Sequence, residues 1–259
     1  MSDSLYVAAT GMHAQQKQLD VIANNLANTN TTAFKKSRID FGDLMYQAST
    51  SVQGNLLSSD INNPIGVGAS AAQIGKIFTG GEAKKTERSL DLAIIGEGFF
   101  EVILPDGSYG YTRSGAMQSN ADGMLTTLDG YPLSAYVHLP TDTEEVVINT
   151  NGVVMVKLAG EDGLSEVGNI ELVQFLNTRG LNPMGDNMYL PSEKSGSAIY
   201  GIPGEEGTGS LAQGFLESSN VQLIEELSNL ILAQRTYEIN SKVVQASDEA
   251  MGIVNNLRR

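Results

Sequence analysis

Apolar residues recur at every seventh position near both ends of the chain. Leu5, Met12, Leu19 and Leu26 form one such row near the N-terminus, and Val7, Ala14 and Val21 form a second. Near the C-terminus Leu223, Leu230, Tyr237, Val244 and Met251 keep the period, and Leu232, Ile239, Ala246 and Ile253 make another row. A sustained seven-residue apolar repeat is the signature of helix packed on helix. The pattern predicts an N-terminal helix within 1–30. It also predicts a C-terminal helix in 216–259 that starts near Ser219 or Asn220, both good caps, and runs to Leu257. Arg258 and Arg259 suit the negative end of its dipole.

Positions 230 and 232 lie about 200° apart around a helix of 3.6 residues per turn. The C-terminal helix is therefore apolar on two nearly opposite faces. Polar rows lie between them: Ser228, Arg235, Lys242 and Glu249 make one and Gln234, Ser241 and Asp248 another. A helix lying on a globular core needs one apolar stripe. Two stripes imply two partners: the chain's own N-terminal helix, and a second copy of the chain. The expected subunit-subunit interface is thus Leu5, Met12, Leu19, Leu26, Leu223, Leu230, Tyr237, Val244, Met251, Leu232, Ile239 and Ile253.

The middle, 70–215, changes period. Short apolar runs alternate with Asp106-Gly107, Asp122-Gly123, Asp129-Gly130 and Asn151-Gly152, dipeptides that tolerate the positive φ of tight hairpins. This predicts a mainly antiparallel β-domain inserted between the helices, an α+β chain with a coiled-coil-like helical region. Residues 31–69 form a connector. Its first half, TTAFKKSRIDFGDLMYQ, is partly helical in pattern, and its second half is rich in Ser, Asn and Gly and reads as a long loop. Such a stretch suits a segment spanning between domains or subunits, as a clasp between copies.

Charge sharpens the picture. The net charge is −14; residues 1–36 sum to +1 and 216–259 to −2, which leaves −13 on the middle. An acidic middle repels phosphate backbones, so no nucleic acid partner is expected. There is no cysteine, which removes disulfides, thiol catalysis and thiolate metal sites. The first residues lack a basic region and a continuous apolar run, so no cleavable signal peptide is expected.

No enzyme chemistry emerges, and no cofactor or metal is expected. Gly96-x-Gly98 lacks a third glycine, and Phe99-Phe100 continues as strand, so turn geometry is the better reading than phosphate binding. His138 has no nucleophile elbow to serve. His13 sits on the N-terminal helix, where packing outweighs ligation. The 30 acidic residues are dispersed as a solvated surface is. Asn24, Asn25, Asn28 and Asn30 suit a helix end and hydrogen bonds between subunits.

Three long segments carry a family resemblance. LDVIANNLANTNTTAFKKSRIDFGDLMYQ resembles the N-terminal signature of flagellar axial proteins of the rod and hook, and ESSNVQLIEELSNLILAQRTYEINSKVVQASDEAMGIVNNL resembles their C-terminal signature. SLDLAIIGEGFFEVILPDGSYGYTRSGA is similar to the core of their β-domain. Ala33 stands where the family usually has Gly, and Met117 where an aromatic residue is common. The chain is short for a hook subunit, and the segments PIGVGAS, RTYEINSK and NMYLPSEKSG favour the distal part of the rod. A proximal rod or hook-type subunit is the alternative within the family, and a secreted β-domain enzyme or binding module the alternative outside it.

The resemblance implies a structural subunit exported by the flagellar type III apparatus and polymerised helically. Terminal helices would form an inner tube around the export channel, with β-domains outward. It implies proximal rod proteins, the hook protein and the peptidoglycan and outer-membrane ring proteins as partners. It implies residence in the flagellar basal body, in the rod that spans the periplasm.

Overall fold

The computed structural model describes residues 2–43, 68–160, 163–205 and 207–257. Most of the connector expected at 31–69, including the proposed clasp, lies outside the described residues, as do Arg258 and Arg259. The chain divides into two compact units, one of Met1–Ala27, Ser37–Gly75 and Gln222–Arg259, the other of Asn28–Lys36 and Lys76–Val221.

The first unit holds two long helices, α1 (Ser2–Ala27) and α2 (Leu223–Leu257), which pack against each other. Asn25 of α1 donates to the Glu226 carboxylate near the start of α2. Gly11, earlier in α1, faces Asn240, later in α2 by the same number of residues. Equal steps in opposite directions make the pair antiparallel. The buried apolar positions are Ala8, Ala14 and Ile22 on α1 and Ala233 on α2, beside the buried polar pair Asn25 and Glu226. Small side chains let two helix backbones approach closely.

The C-terminal helix begins later than its caps suggest. Its first i to i−4 bond runs from the Glu226 N–H to the Gln222 carbonyl. Asn220 is occupied elsewhere: its side-chain oxygen accepts from Lys36 N–H at 2.7 Å and its amide donates to the Ile77 carbonyl at 2.8 Å. A side chain already bridging two backbone segments cannot cap a helix. Glu225 and Glu226 in the first turn supply the negative charge that a helix start favours.

The part of the connector read as partly helical is instead a strand, Ser37–Asp43, paired with Ala69–Lys76. Ile39 is buried by that arrangement. Local pattern yielded to a partner lying across the connector, the usual way propensity is overridden.

The second unit is antiparallel β-structure. Strands Phe100–Ile103 and Tyr109–Thr112 form a hairpin extended by Met188–Leu190 and Asn182–Gly185. Thr143–Ile148, Val153–Leu158 and Leu164–Asn169 form a three-stranded meander. Four two-stranded pairs complete it, among them Ala83–Lys85 with Phe215–Glu217 and Leu92–Ile95 with Ser210–Gln213. All four dipeptides picked out as turns lie between paired segments, and Gly107, Gly123, Gly130 and Gly152 have φ of 81°, 77°, 88° and 88°. The core gathers fully buried Leu92, Phe100, Met117, Val154, Ile170 and Leu172. Beside it Phe99, Tyr111, Phe175 and Tyr189 meet edge to face, the geometry ring quadrupoles prefer.

Candidate functional site: helix faces and a buried ion centre

The side of α2 that carries Ala233 is occupied within the chain. Leu230, Val244 and Met251 are half-buried there, while Leu223 and Tyr237 stay 49% and 40% exposed. On α1, Leu5, Met12, Leu19 and Leu26 are all half-buried. The second row differs: Leu232, Ile239 and Ile253 are 65%, 60% and 62% exposed. Ile224 at 80% and Ile231 at 58% widen this outward face beyond what the seven-residue rows indicated. A run of branched apolar side chains along one helix is costly to leave in water, at roughly 25 cal/mol per Å².

Asn25 is used inside the unit: its oxygen accepts from Ser37 N–H at 2.8 Å, and its amide donates to the Ser37 carbonyl as well as to Glu226. The hydrogen bonds expected of it between subunits are made within the chain. Asn28 accepts from the Thr31 hydroxyl in the turn that follows α1 in sequence.

Sequence reasoning missed the electrostatic centre of the β-unit. Lys35, Arg113 and Glu217 are all buried, and both cations pair with the one carboxylate. Glu217 Oε1 accepts from Lys35 Nζ and from the Gly81 N–H at 2.8 Å; Oε2 accepts from Arg113 Nε at 2.9 Å. Lys35 Nζ also donates to the Thr79 carbonyl at 2.8 Å. Arg113 Nη2 and Nη1 donate to the carbonyls of Gly96 and Gly98 at 2.8 and 3.1 Å. That is the work of the Gly96-x-Gly98 turn, whose φ values of 117° and 141° suit glycine. It holds a guanidinium, not a phosphate.

Burial pushes the Glu217 carboxyl up, but Arg113 and then Lys35 outweigh it and hold the group below the usual carboxylate range. Burial lowers the Lys35 ammonium, and the attraction of Glu217 only partly restores it. Around the centre the backbone is knitted: Ala33 N–H donates to the Glu217 carbonyl at 2.8 Å, and Ile77 N–H to the Lys36 carbonyl at 3.0 Å. Ala33 takes a left-handed φ of 57° there. The turn a glycine would make is formed by an alanine, at about 1–2 kcal/mol of strain.

Three family models match the chain: "Flagella basal body rod protein" over residues 5–35, "Flagellar hook protein FlgE/F/G D1 domain" over 93–156, and "Flagellar basal body rod FlgEFG protein C-terminal" over 212–257. The flagellar basal-body rod protein FlgG of Borreliella burgdorferi is 43% identical over all of both chains. The protein of the same name from Bacillus subtilis is 40% identical, again over the full length of both.

The chain belongs to the flagellar basal-body rod protein family.

It is a structural subunit and not an enzyme. A more distant relative, the flagellar hook-basal body complex protein FlhP of Bacillus subtilis, is 28% identical over both full lengths. Each matched stretch contributes one member of the ion centre: Lys35 closes the first, Arg113 lies in the second and Glu217 in the third. The three segments that carry the rod-family resemblance therefore meet at one carboxylate. The signal available in the sequence was a charged residue beside apolar or small neighbours: Lys35 after Ala33-Phe34, though followed by Lys36, Arg113 within YTRSG and Glu217 within FLESS.

Proposed function

We propose that the chain is a subunit of the distal rod of the bacterial flagellum, polymerising helically into the drive shaft that passes torque to the hook. In this reading the terminal helices, with 1–30 and 216–259 as the inner domain, pair as a coiled-coil-like layer around the export channel. The β-domain, 70–215, faces outward, and 31–69 connects them. Proximal rod proteins lie below, hook protein above, and the peptidoglycan and outer-membrane ring proteins around it. The type III apparatus delivers the chain.

The observation that carries the reading is the outward row of α2, Leu232, Ile239 and Ile253, each at least 60% exposed on a helix whose other side already holds α1. A second copy covers such a face with matching chemistry. Relatives named FlgG support the distal position. The test is electron microscopy of the concentrated, purified chain. Tubes with a central channel support the reading; a monomer at every concentration counts against it.

A further inference from the structure

We propose that a cationic concavity in the β-unit receives an acidic segment from the β-unit of a neighbouring copy, a contact that rests on the polymer reading above. The concavity has a volume of about 350 Å³ and lies entirely within residues 76–179. Between 76 and 221 acidic residues outnumber basic ones by 20 to 8. At the walls of this one hollow the ratio inverts: Lys76, Arg113 and Arg179 against Glu97 alone.

The three cations differ in how far they are engaged. Arg113 is taken up by Glu217 and the Gly96 and Gly98 carbonyls, and so is a fixed part of the lining. Lys76 lies over the Phe34 ring at 4.2 Å and donates to the Lys35 carbonyl, and it has no carboxylate partner among the described residues. Arg179 is exposed and likewise forms no ion pair among the described residues. Beside it Leu176 stands 90% exposed, the most exposed large apolar side chain described. Phe99 also lines the hollow.

A carboxylate fits this setting better than any neutral group. Its charge meets two cations without a carboxylate partner, and its aliphatic stem meets Leu176 and Phe99. Charge complementarity selects the source. Copies with net charge −14 repel one another through their acidic β-units. A cationic hollow turns part of that repulsion into an oriented attraction. The supply of carboxylates is the same acidic 76–221 stretch, repeated on every neighbour.

The experiment places a photo-crosslinking amino acid at Leu176 of the full chain, in cells whose only copy is that variant. Rods are isolated after irradiation, and the linked peptides are read by mass spectrometry. The expected partner is a peptide from within 76–221 of a second copy, containing Asp or Glu. Arg179→Glu should lower the yield of that crosslink by about fivefold, whereas Arg179→Lys should keep it. A melting curve matching the parent chain establishes that Arg179→Glu is folded. Crosslinks to the terminal helices, to a different protein, or to nothing in rods that do form would overturn the proposal. So would a crosslink indifferent to Arg179→Glu. Failure of the unmodified chain to form rods would strike instead at the polymer reading itself.

Discussion

Lys35 and Glu217 are 182 positions apart in the chain and form a buried ion pair. Arg113 shares the same carboxylate from the other side. The arrangement is unequal, with two cations on one anion. Removing the anion therefore strands two buried charges, while removing one cation leaves a neutral pair.

That asymmetry orders the mutants. Glu217→Gln should destabilise the chain by about 3–5 kcal/mol, the cost of uncompensated buried charge. Lys35→Met should cost clearly less, because Arg113 still neutralises the carboxylate. Urea unfolding followed by circular dichroism measures both. Equal losses would show that the centre does not act as an unequal triad.

The same carboxylate sets an acid limit. Glu217 titrates below its ordinary value of 4.5, so folding favours its ionised form. The stability it contributes is fully present above pH 4.5 and is lost as pH falls through the lower folded value. Once protonated, Glu217 resembles Gln. The stability gap between the parent chain and Glu217→Gln should thus be constant near neutrality and shrink below pH 4.5. A gap that widens on acidification contradicts the assignment. Lys35 acts in the opposite range: its pKa is lowered from 10.5, so its contribution to stability rises as pH climbs through the lowered value toward 10.5.

Ala33 offers a gain. Its φ of 57° is strained for a side chain bearing Cβ. Glycine removes that strain but has more freedom to lose on folding. Ala33→Gly should raise stability by a net of about 0.5–1 kcal/mol, read as a higher urea midpoint with unchanged slope. A decrease would mean that the buried methyl group outweighs the backbone term.

What the sequence revealed followed from distance along the chain. The four hairpin turns were legible because Asp-Gly and Asn-Gly act within a few residues. The helices were legible because their apolar rows repeat. Asn220 was misread as a cap because its partners, Lys36 and Ile77, are remote in sequence. Strand Ser37–Asp43 was misread for the same reason, since Ala69–Lys76 pairs with it from beyond the connector. The ion centre stayed hidden because no local rule joins Lys35, Arg113 and Glu217. Only the fold brings them together.

The rod reading makes the outward face of α2 the assembly surface. Ile239 lies at its middle, 60% exposed in the single chain. Ile239→Asp would place a charge in an apolar contact, a penalty of several kcal/mol in the polymer and little in the monomer. Gln245→Asp puts the same charge on an exposed polar position of the same helix. The decisive measurement is rod assembly by electron microscopy for these two variants beside the parent chain, with melting curves confirming equal folding. An assembly surface there yields rods from the parent and from Gln245→Asp, and none from Ile239→Asp. Normal rods from Ile239→Asp would contradict it.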